Sequence, residues 1–354
     1  MTNRVHVVVA TAVLAAAASL PAGAEEIKLT AISGHPPVTI GVANLRDFYI
    51  PEVNKRLAAA GKHKIVWTEA YGGSVAKPAA VLEAVEKGIG DVGYLPALFE
   101  ADKLPLDQIT YVTPFGTSDL PKLIQVVREL RAQIPEMNQA YTKHKLVYLA
   151  GVGVDDYHLV SKFPIASRAD LDGKKFGTAG LSSNWLKGTG AVPVAGALTT
   201  YYNSLQTGVI DGIITFESAL KGYKYYEVAP YITKVSFGAQ YASAVVINKT
   251  RWDKLPADVR EVITTVGKEY EAKVNLAYLT AGEASLKIAA DGGAKISDLS
   301  AEERRKLAAG LPNMAKEWAK ALDAKGLPGT KTLVTYMELS RKAGIEHARE
   351  WDKE

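Results

Sequence analysis

Residues 255–293 read LPADVREVITTVGKEYEAKVNLAYLTAGEASLKIAADGG, and this segment sets the architecture expected for the chain. Leu255-Pro256 places a proline at the start of a helix, and Asp291-Gly292-Gly293 supplies its stop. A continuous helix of about 35 residues is about 50 Å long at 1.5 Å per residue, which exceeds the diameter of one small domain. We therefore expect the helix to run along two domains. Two helices broken near Gly267 or Gly282 are the open alternative.

The composition of the whole chain is that of a folded globular protein. Its 354 residues are 47% hydrophobic and 23% charged, which excludes a disordered or collagen-like chain, and the length corresponds to about two domains. The chain has no cysteine, so disulfides, thiol chemistry and Cys-ligated metal sites are excluded. Its 42 basic and 38 acidic residues are mixed along the chain, so we expect no nucleic-acid partner.

The first 24 residues have the layout of a secretory signal peptide. Arg4 lies in a short polar start, an apolar stretch follows from Val7 to Leu20, and Ala22 and Ala24 are the small residues that a signal peptidase reads. The apolar stretch is shorter than the roughly 20 residues that a membrane-spanning helix needs. We therefore expect cleavage near Ala24 and export to a bacterial periplasm, with an uncleaved anchor as the alternative.

Short apolar strand candidates alternate with helical patterns after this segment. Three strands are expected at Ile27–Ile32, Lys64–Thr68 and Asp91–Leu95. Helices are expected between them at Thr39–Ala60, kinked near Pro51, and at Pro78–Lys87. This β-α-β-α-β order indicates a mostly parallel sheet covered by helices on both faces.

Residue patterns for familiar catalytic chemistry are missing from the sequence. No two of the six histidines lie three to five residues apart, which excludes the zinc-protease pattern. Residues 151–156 begin like a dinucleotide-binding loop, but the acid at the sixth position, Asp156, opposes a pyrophosphate. Asp155, Asp156 and His158 have the side chains of metal ligands, although solvent-exposed acids at a strand end are the favoured interpretation. We therefore expect no enzyme activity, no cofactor and no metal.

Five motifs follow one another along the chain. They are VLEAVEKGIGD at 81–91, PIASRADLDGKKFG at 164–177, YNSLQTGVIDG at 202–212, YEVAPYIT at 226–233 and NKTRWDKLP at 248–256. In order and separation, the sequence from Leu29 to about Leu322 resembles the solute-binding proteins of TRAP (tripartite ATP-independent periplasmic) transporters, the DctP-like class. The resemblance implies a two-domain α/β fold like that of periplasmic binding proteins, with a ligand cleft between the domains, crossing hinge strands and the long helix spanning both.

The resemblance also implies a function and a domain organisation. The function is that of a receptor, which captures a small solute, closes like a hinge and docks on a membrane permease. Domain I is expected at residues 25–154 and about 240–275, and domain II at residues 155–239 and about 276–330. Residues 331–354 are expected to form an additional helical tail. We expect a monomer, with a dimer through this tail as the open alternative.

The expected binding site departs from the family pattern at a specific position. Gly177 stands where the family has an arginine that pairs with the ligand carboxylate. Tyr157, Thr200 and Thr215 stand where the family has a basic residue, a glutamate and an asparagine. The site is therefore expected to be poor in cations and to bind an organic or aromatic acid rather than a simple C4-dicarboxylate. The candidate ligand-binding residues are His35, Glu69, Tyr71, Tyr94, Tyr157, Phe176, Gly177, Trp185, Thr200 and Thr215.

Two other classes of protein stay open from the sequence. ABC-type solute-binding proteins contain segments similar to residues 169–175, although the long helix and the motif at residues 205–212 favour the TRAP class. An exported hydrolase that uses Glu69, Asp155 or Asp156 is the other alternative, and no nucleophile–base spacing supports it.

Export of the chain is testable by mass spectrometry of the periplasmic fraction. The protein should begin at Glu25 or within a few residues of it, because signal peptidase cleaves after small residues. An Ala24→Tyr variant is the matched control and should keep its leader. Full-length unaltered chain in the membrane fraction would contradict the prediction.

Overall fold

The computed structural model describes residues 25–354, and the expected signal peptide lies outside the described residues. The described chain forms two β-sheets with helices packed around them. Its strands are β1 Glu25–Ser33, β2 His63–Ala70, β3 Val92–Leu95, β4 Leu146–Val154, β5 Tyr157–Ser161, β6 Lys175–Thr178, β7 Val192–Ala195, β8 Gly212–Phe216, β9 Tyr231–Lys234, β10 Gln240–Asn248 and β11 Lys295–Asp298. Its α-helices are α1 Ile40–Asn44, α2 Ile50–Ala60, α3 Val81–Glu86, α4 Ile109–Val112, α5 Leu120–Gln133, α6 Glu136–Lys143, α7 Leu198–Gln206, α8 Ala219–Tyr223, α9 Lys249–Asp253, α10 Ala257–Asp291, α11 Ala301–Ala309, α12 Met314–Asp323 and α13 Gly329–Lys342.

The two sheets differ in strand order. The first has the order β2-β1-β3-β10-β4, and the second has the order β11-β9-β5-β8-β6-β7. β1 runs parallel to β2 and β3, as predicted, whereas β10 runs antiparallel to β3 and β4. The mostly parallel arrangement is therefore wrong for β10, because this strand returns from the second sheet in the opposite direction. We call the elements around the first and second sheets the first and second lobes.

Within residues 25–354 the chain crosses between the lobes four times, the last time between α11 and α12, which contacts α4 and α13 in the first lobe. It passes from β4 to β5 through Asp155 and Asp156, and it returns from β9 to β10 through residues 235–239. The third crossing is α10, which contacts β4 in the first lobe and α8 in the second. The predicted two-domain α/β architecture is confirmed, while the domain boundaries drawn from the sequence stay predictions.

The first predicted helix changes pitch just before Pro51, as expected. Residues 45–49 form a π-turn in which the Ile50 N–H donates to the Leu45 carbonyl. Pro51 has no N–H to continue the helical ladder, and its ring crowds the preceding turn, which explains the irregularity. α2 continues to Ala60, and Gly61 ends it in the left-handed region at φ 71°.

α10 is one continuous helix of 35 residues, so the long helix is confirmed and the broken alternative is wrong. Its glycines mark close approaches. A Cβ on Gly267 would lie 2.9 Å from the Leu149 carbonyl oxygen in β4. A Cβ on Gly282 would lie 2.5 Å from Asp155 Oδ2 and 2.6 Å from Glu217 Oε2. Glycine at both positions therefore lets the helix lie against β4 and against the first crossing.

β4 is an edge strand of the first sheet, and α10 supplies hydrogen-bond partners for its outer edge. Asn275 accepts from the Gly153 N–H at 2.7 Å and donates to the Gly151 carbonyl at 3.2 Å. Glu271 accepts from the Gly151 N–H at 2.7 Å and from the Arg128 guanidinium at 2.6 and 3.0 Å. Buried backbone groups left without partners would destabilise the fold, so these bonds fix the helix in register against the strand.

The C-terminal segment packs on the first lobe. α13 contacts α5 and α12, and the predicted tail at residues 331–354 is helical as far as Lys342, followed by turns. Trp351 is fully buried and donates its indole N–H to the Pro114 carbonyl at 3.2 Å. Within residues 25–354, no helix is both long enough and apolar enough to cross a bilayer.

The bond between α10 and β4 yields a stability prediction. Asn275→Leu keeps a side chain of similar size but leaves the buried Gly153 N–H and Gly151 carbonyl without partners, at about 1–3 kcal/mol for each group. We expect the free energy of unfolding to fall by about 2–4 kcal/mol. Urea denaturation followed by tryptophan fluorescence measures this loss. Leu276→Ala, on the exposed neighbouring position, is the control and should change stability by less than about 0.5 kcal/mol. Equal urea midpoints for the two variants would contradict the assignment.

Candidate functional site

A cavity lies between the two lobes. The polar residues that line it are His35, Thr39, Tyr94, Tyr157, Tyr201, Thr215, Ser243 and Tyr278. The apolar residues that line it are Leu98, Phe99, Val154, Ala179, Leu198, Ile214, Phe216 and Ala242. Residues from β3 and β10 thus face residues from β5, α7 and β8 across the cavity.

Two tyrosines form the wall on the side of the first lobe. Tyr94 fits beside the start of α1 because Gly41 leaves room for its ring, and a Cβ on Gly41 would lie 2.3 Å from that ring. The Tyr278 hydroxyl, from α10, accepts from the Gly41 N–H at 3.1 Å and lies 3.3 Å from the Tyr94 hydroxyl. The long helix therefore contributes directly to the cavity wall.

Tyr157 forms part of the opposite wall and is supported from behind. Its hydroxyl lies 2.9 Å from the Tyr111 hydroxyl, and its ring meets Trp185 edge to face at 5.4 Å between centroids. Trp185 stacks on Tyr111 at 5.7 Å and donates its indole N–H to the Tyr111 carbonyl at 2.8 Å. Trp185 is fully buried behind the wall and positions Tyr157.

Three buried polar atoms at the cavity have no hydrogen-bond partner among the described residues. They are His35 Nδ1, the Tyr201 hydroxyl and Thr215 Oγ1. Burial lowers the pKa of His35 to about 4, so its imidazole is neutral at neutral pH. Burial also raises the pKa of Tyr201, which keeps its hydroxyl protonated. These three atoms are available for hydrogen bonds to a molecule in the cavity.

The space beside Gly177 is occupied by Tyr201. A Cβ on Gly177 would lie 2.9 Å from the Tyr201 ring and 2.9 Å from Ile210 Cδ1. Any larger side chain at position 177 therefore requires Tyr201 to move. Tyr201 and Ile210 thus fill the space into which a longer side chain at position 177 would extend.

The structure places four of the predicted site residues on the cavity wall: His35, Tyr94, Tyr157 and Thr215. Three others are buried behind the wall: Phe176, Gly177 and Trp185. The remaining three lie outside the lining: Glu69 and Thr200 are exposed and Tyr71 is half-buried. Thr200 instead caps α7, because its Oγ1 accepts from the Ala197 N–H at 3.2 Å.

Thr39, Tyr201, Ser243 and Tyr278 line the cavity but are absent from the predicted set. Tyr201 and Leu205 lie four residues apart and are both buried, a spacing that indicates a buried helix face without pointing to a cavity. Tyr278 lies in the middle of α10, where no local sequence signal relates it to β3.

The acids at the first crossing are buried, so the expectation of solvent-exposed acids is wrong. Asp155 accepts from the Ser218 N–H at 2.8 Å and from the Ser218 hydroxyl at 2.6 Å, and burial raises the pKa of its carboxyl. Asp156 accepts from the Ser118 hydroxyl at 2.6 Å and from the Gly238 N–H at 2.8 Å. The crossing is covered because α10 lies directly on it. Within residues 25–354 no group of three His, Cys, Asp or Glu side chains is arranged to hold a metal ion.

Thr39 and Tyr223 join the lobes beside the cavity. Their hydroxyls lie 2.7 Å apart, and the Tyr223 ring stacks on Tyr225 at 5.5 Å. A Cβ on Gly222 would lie 3.0 Å from the Val38 carbonyl oxygen, so the two lobes touch at this point. We call this pair of hydroxyls the Thr39–Tyr223 contact.

Two α/β lobes joined by crossing segments, with a cavity lined from both sides between them, have the architecture of a two-lobed solute-binding protein. Residues 53–321 match the model of the bacterial extracellular solute-binding protein family 7, DctP. This range covers most of the chain, and the chain belongs to that family. The resemblance to the DctP-like class is therefore confirmed.

Individual relatives and solved structures agree with this assignment. The C4-dicarboxylate-binding periplasmic protein DctP of Rhodobacter capsulatus is 34% identical over 143 residues, which are 40% of this chain and 43% of the relative. The chain spans about half the length of the first curated relatives that it matches. A TRAP solute-binding protein from Rhodoferax ferrireducens, solved with copurified benzoate, superposes with a TM-score of 0.80 at 19% identity over 90% of this chain and 98% of that chain. DctP7 of Bordetella pertussis, a receptor binding pyroglutamic acid, gives a TM-score of 0.77 at 23% identity over 88% of this chain and 99% of that chain. These structural matches show a shared fold.

The Thr39–Tyr223 contact predicts an effect on the separation of the lobes. Tyr223→Phe keeps the stacked ring and removes the hydroxyl, and a hydrogen bond of this kind contributes about 0.5–1.5 kcal/mol. We expect the ratio of closed to open molecules to fall by about 2- to 12-fold. Because the chain has no cysteine, spin labels on Lys62→Cys and Val192→Cys report the lobe separation specifically.

Tyr231→Phe is the matched control for this experiment, since the Tyr231 hydroxyl lies within the second lobe, 3.4 Å from Lys295 Nζ. The control should leave the distance distribution unchanged. A Tyr223→Phe distribution identical to that of the control would show that the contact does not hold the lobes together.

Proposed function

We propose that this protein is the solute receptor of a TRAP-type transporter. It captures a small organic solute in the cavity between its lobes and delivers it to a membrane permease. The observation that carries the proposal is the cavity itself, which lies between the lobes and contains three buried polar atoms without partners. Membership of a solute-binding protein family supports a receptor without catalytic activity.

The proposed location and state follow from the same assignment. We place the mature protein in the periplasm, after cleavage near Ala24, as a monomer. The relative from Rhodobacter capsulatus carries the description of a periplasmic protein, which supports this location. An ABC-type receptor is disfavoured because residues 53–321 match the DctP family.

The proposed solute is a flat organic molecule rather than a simple C4-dicarboxylate. The neighbour from Rhodoferax ferrireducens holds benzoate and DctP7 binds pyroglutamic acid, so organic and aromatic acids are the first class to test. Succinate would lack the arginine partner, because Gly177 and Tyr201 occupy that region. A hydrogen bond to a charged group contributes about 1.5–3 kcal/mol, which is about 10- to 150-fold in affinity.

An exported hydrolase finds no support in the arrangement of its candidate carboxylates. Glu69 is exposed on β2, and Asp155 and Asp156 are engaged by Ser218, Ser118 and Gly238. None of these three carboxylates lines the cavity.

Capture is proposed to proceed by closure of the lobes around the solute. A solute stabilises the closed state only by the difference between its affinities for the two states. Residues from both lobes line the cavity, so a solute there contacts both walls only when the lobes are closed. Closure is therefore coupled to occupancy.

Receptor function predicts a thermal shift together with compaction. A solute at 100 times its dissociation constant stabilises the protein by about 2.7 kcal/mol, which at about 2–4 °C per kcal/mol raises the melting temperature by more than roughly 5 °C. In a broad panel of small metabolites, at least one flat organic compound should reach this shift and reduce the radius of gyration in small-angle scattering. Succinate, malate and fumarate at millimolar concentration should shift melting much less. A panel that gives neither a shift nor compaction would refute the receptor assignment, and a large shift with succinate would refute the solute class.

A further inference from the structure

The unpartnered polar atoms of the cavity belong to a built site. His35 is 4% exposed, and Tyr201 and Thr215 are each 2% exposed, so water outside the protein does not satisfy them. Their free atoms are an imidazole nitrogen and two hydroxyls, which can all act as donor or acceptor. A solute that forms hydrogen bonds with all three atoms must therefore carry neutral groups that donate or accept, or it must accept a hydrogen bond from each atom.

The described residues that line the cavity carry no ionised side chain. None of the described residues that line it is Asp, Glu, Lys or Arg, and the imidazole of His35 is neutral because burial lowers its pKa to about 4. The tyrosine hydroxyls are protonated, since burial raises the pKa of Tyr94, Tyr157, Tyr201 and Tyr278. A bound anion would therefore have no cationic side chain to pair with among these lining residues.

Ionisable residues next to the lining residues along the chain do not supply a cation either. Glu100 follows Phe99, Asp155 follows Val154, and Glu217 follows Phe216. His158 follows Tyr157 and lies 2.8 Å from Glu217 Oε1 through its Nε2. None of these neighbours is a lysine or an arginine.

An ionised carboxylate would lose its hydration in this cavity and gain only neutral donors. Burying a charge without a partner is far less favourable than burying a hydrogen-bonded neutral group. A carboxamide of the same shape presents both donors and acceptors, which match hydroxyls that donate and accept. The residues at the cavity therefore suit an uncharged group better than its ionised counterpart.

We propose that the cavity prefers an uncharged solute over the anion of the same skeleton, and that the hydroxyls of Tyr201 and Thr215 together with the His35 imidazole hold its neutral polar group. The inference rests on the proposed receptor function and narrows its solute class to flat carboxamides, phenols and lactams. Tyr201 is the specificity-determining residue, because it stands in the space beside Gly177 where the family arginine would begin.

Matched pairs of acids and amides test this preference. Isothermal titration calorimetry of the purified mature chain at pH 7.5 compares benzoate with benzamide, 3-hydroxybenzoate with 3-hydroxybenzamide, and pyroglutamate with pyroglutamamide. We expect the carboxamide to bind at least 10-fold more tightly in at least one pair and the carboxylate to be tighter in none. A carboxylate that binds more tightly in any pair, or a set in which no compound binds, overturns the preference. If a carboxylate binds tightly and reduces the radius of gyration, the preference for uncharged solutes fails but the receptor function stands. The experiment therefore distinguishes failure of the preference from failure of the receptor function.

Two conservative variants test the assigned hydroxyls. Tyr201→Phe and Thr215→Val keep the shape of the wall, and each should weaken binding of the best carboxamide at least 5-fold. Each removes a buried atom without a partner, so the melting temperature of the ligand-free protein should stay equal or rise. Tyr202→Phe is the control, because the Tyr202 hydroxyl donates to Glu227 outside the cavity at 3.0 Å. Unchanged carboxamide affinity in both variants, or a lowered melting temperature with unchanged affinity, would show that these hydroxyls do not hold the solute.

Discussion

The pairing of α10 with the outer edge of β4 is the interaction on which the rest of the structure depends. Asn275 and Glu271 satisfy the backbone N–H groups of Gly153 and Gly151, and this fixes the rotation and height of the helix. Tyr278 lies one turn further along and reaches the cavity, and Gly282 lies about 10 Å beyond Asn275 and reaches the first crossing. These side-chain to backbone hydrogen bonds thus position Tyr278 at the cavity and hold α10 over the first crossing.

Hydroxyl groups supply polar contacts both at the first crossing and on the wall of the cavity. Asp155 and Asp156 are held by hydroxyl and backbone N–H donors. The cavity beside them is lined by hydroxyls and rings, and Tyr201 fills the region next to Gly177. The protein therefore combines a fold whose relatives include receptors for acids with a cleft that has no cation of its own among the described residues.

Much of the architecture could be predicted from local patterns in the sequence. The length of the α10 segment indicated a helix that runs along two domains, the order of the first strands and helices indicated parallel pairing, and Pro51 marked the irregular turn. Each of these signals acts within a few residues, because helix periodicity, caps and the missing proline N–H depend on near neighbours. Such local signals do not predict that β10 runs antiparallel, because its direction depends on which lobe the chain has just left.

The sequence by itself determined the family, the two-lobed fold and the long helix. Only the tertiary structure decided which side chains meet in the cavity. Tyr201 and Tyr278 arrive there from helices far apart in the chain, while Phe176 and Trp185 lie behind the wall. It also decided that Asp155 and Asp156 are buried, since α10 covers them from more than 100 residues away. The physical reason is that burial and hydrogen-bond pairing between distant segments depend on how whole elements pack, which a local pattern does not contain.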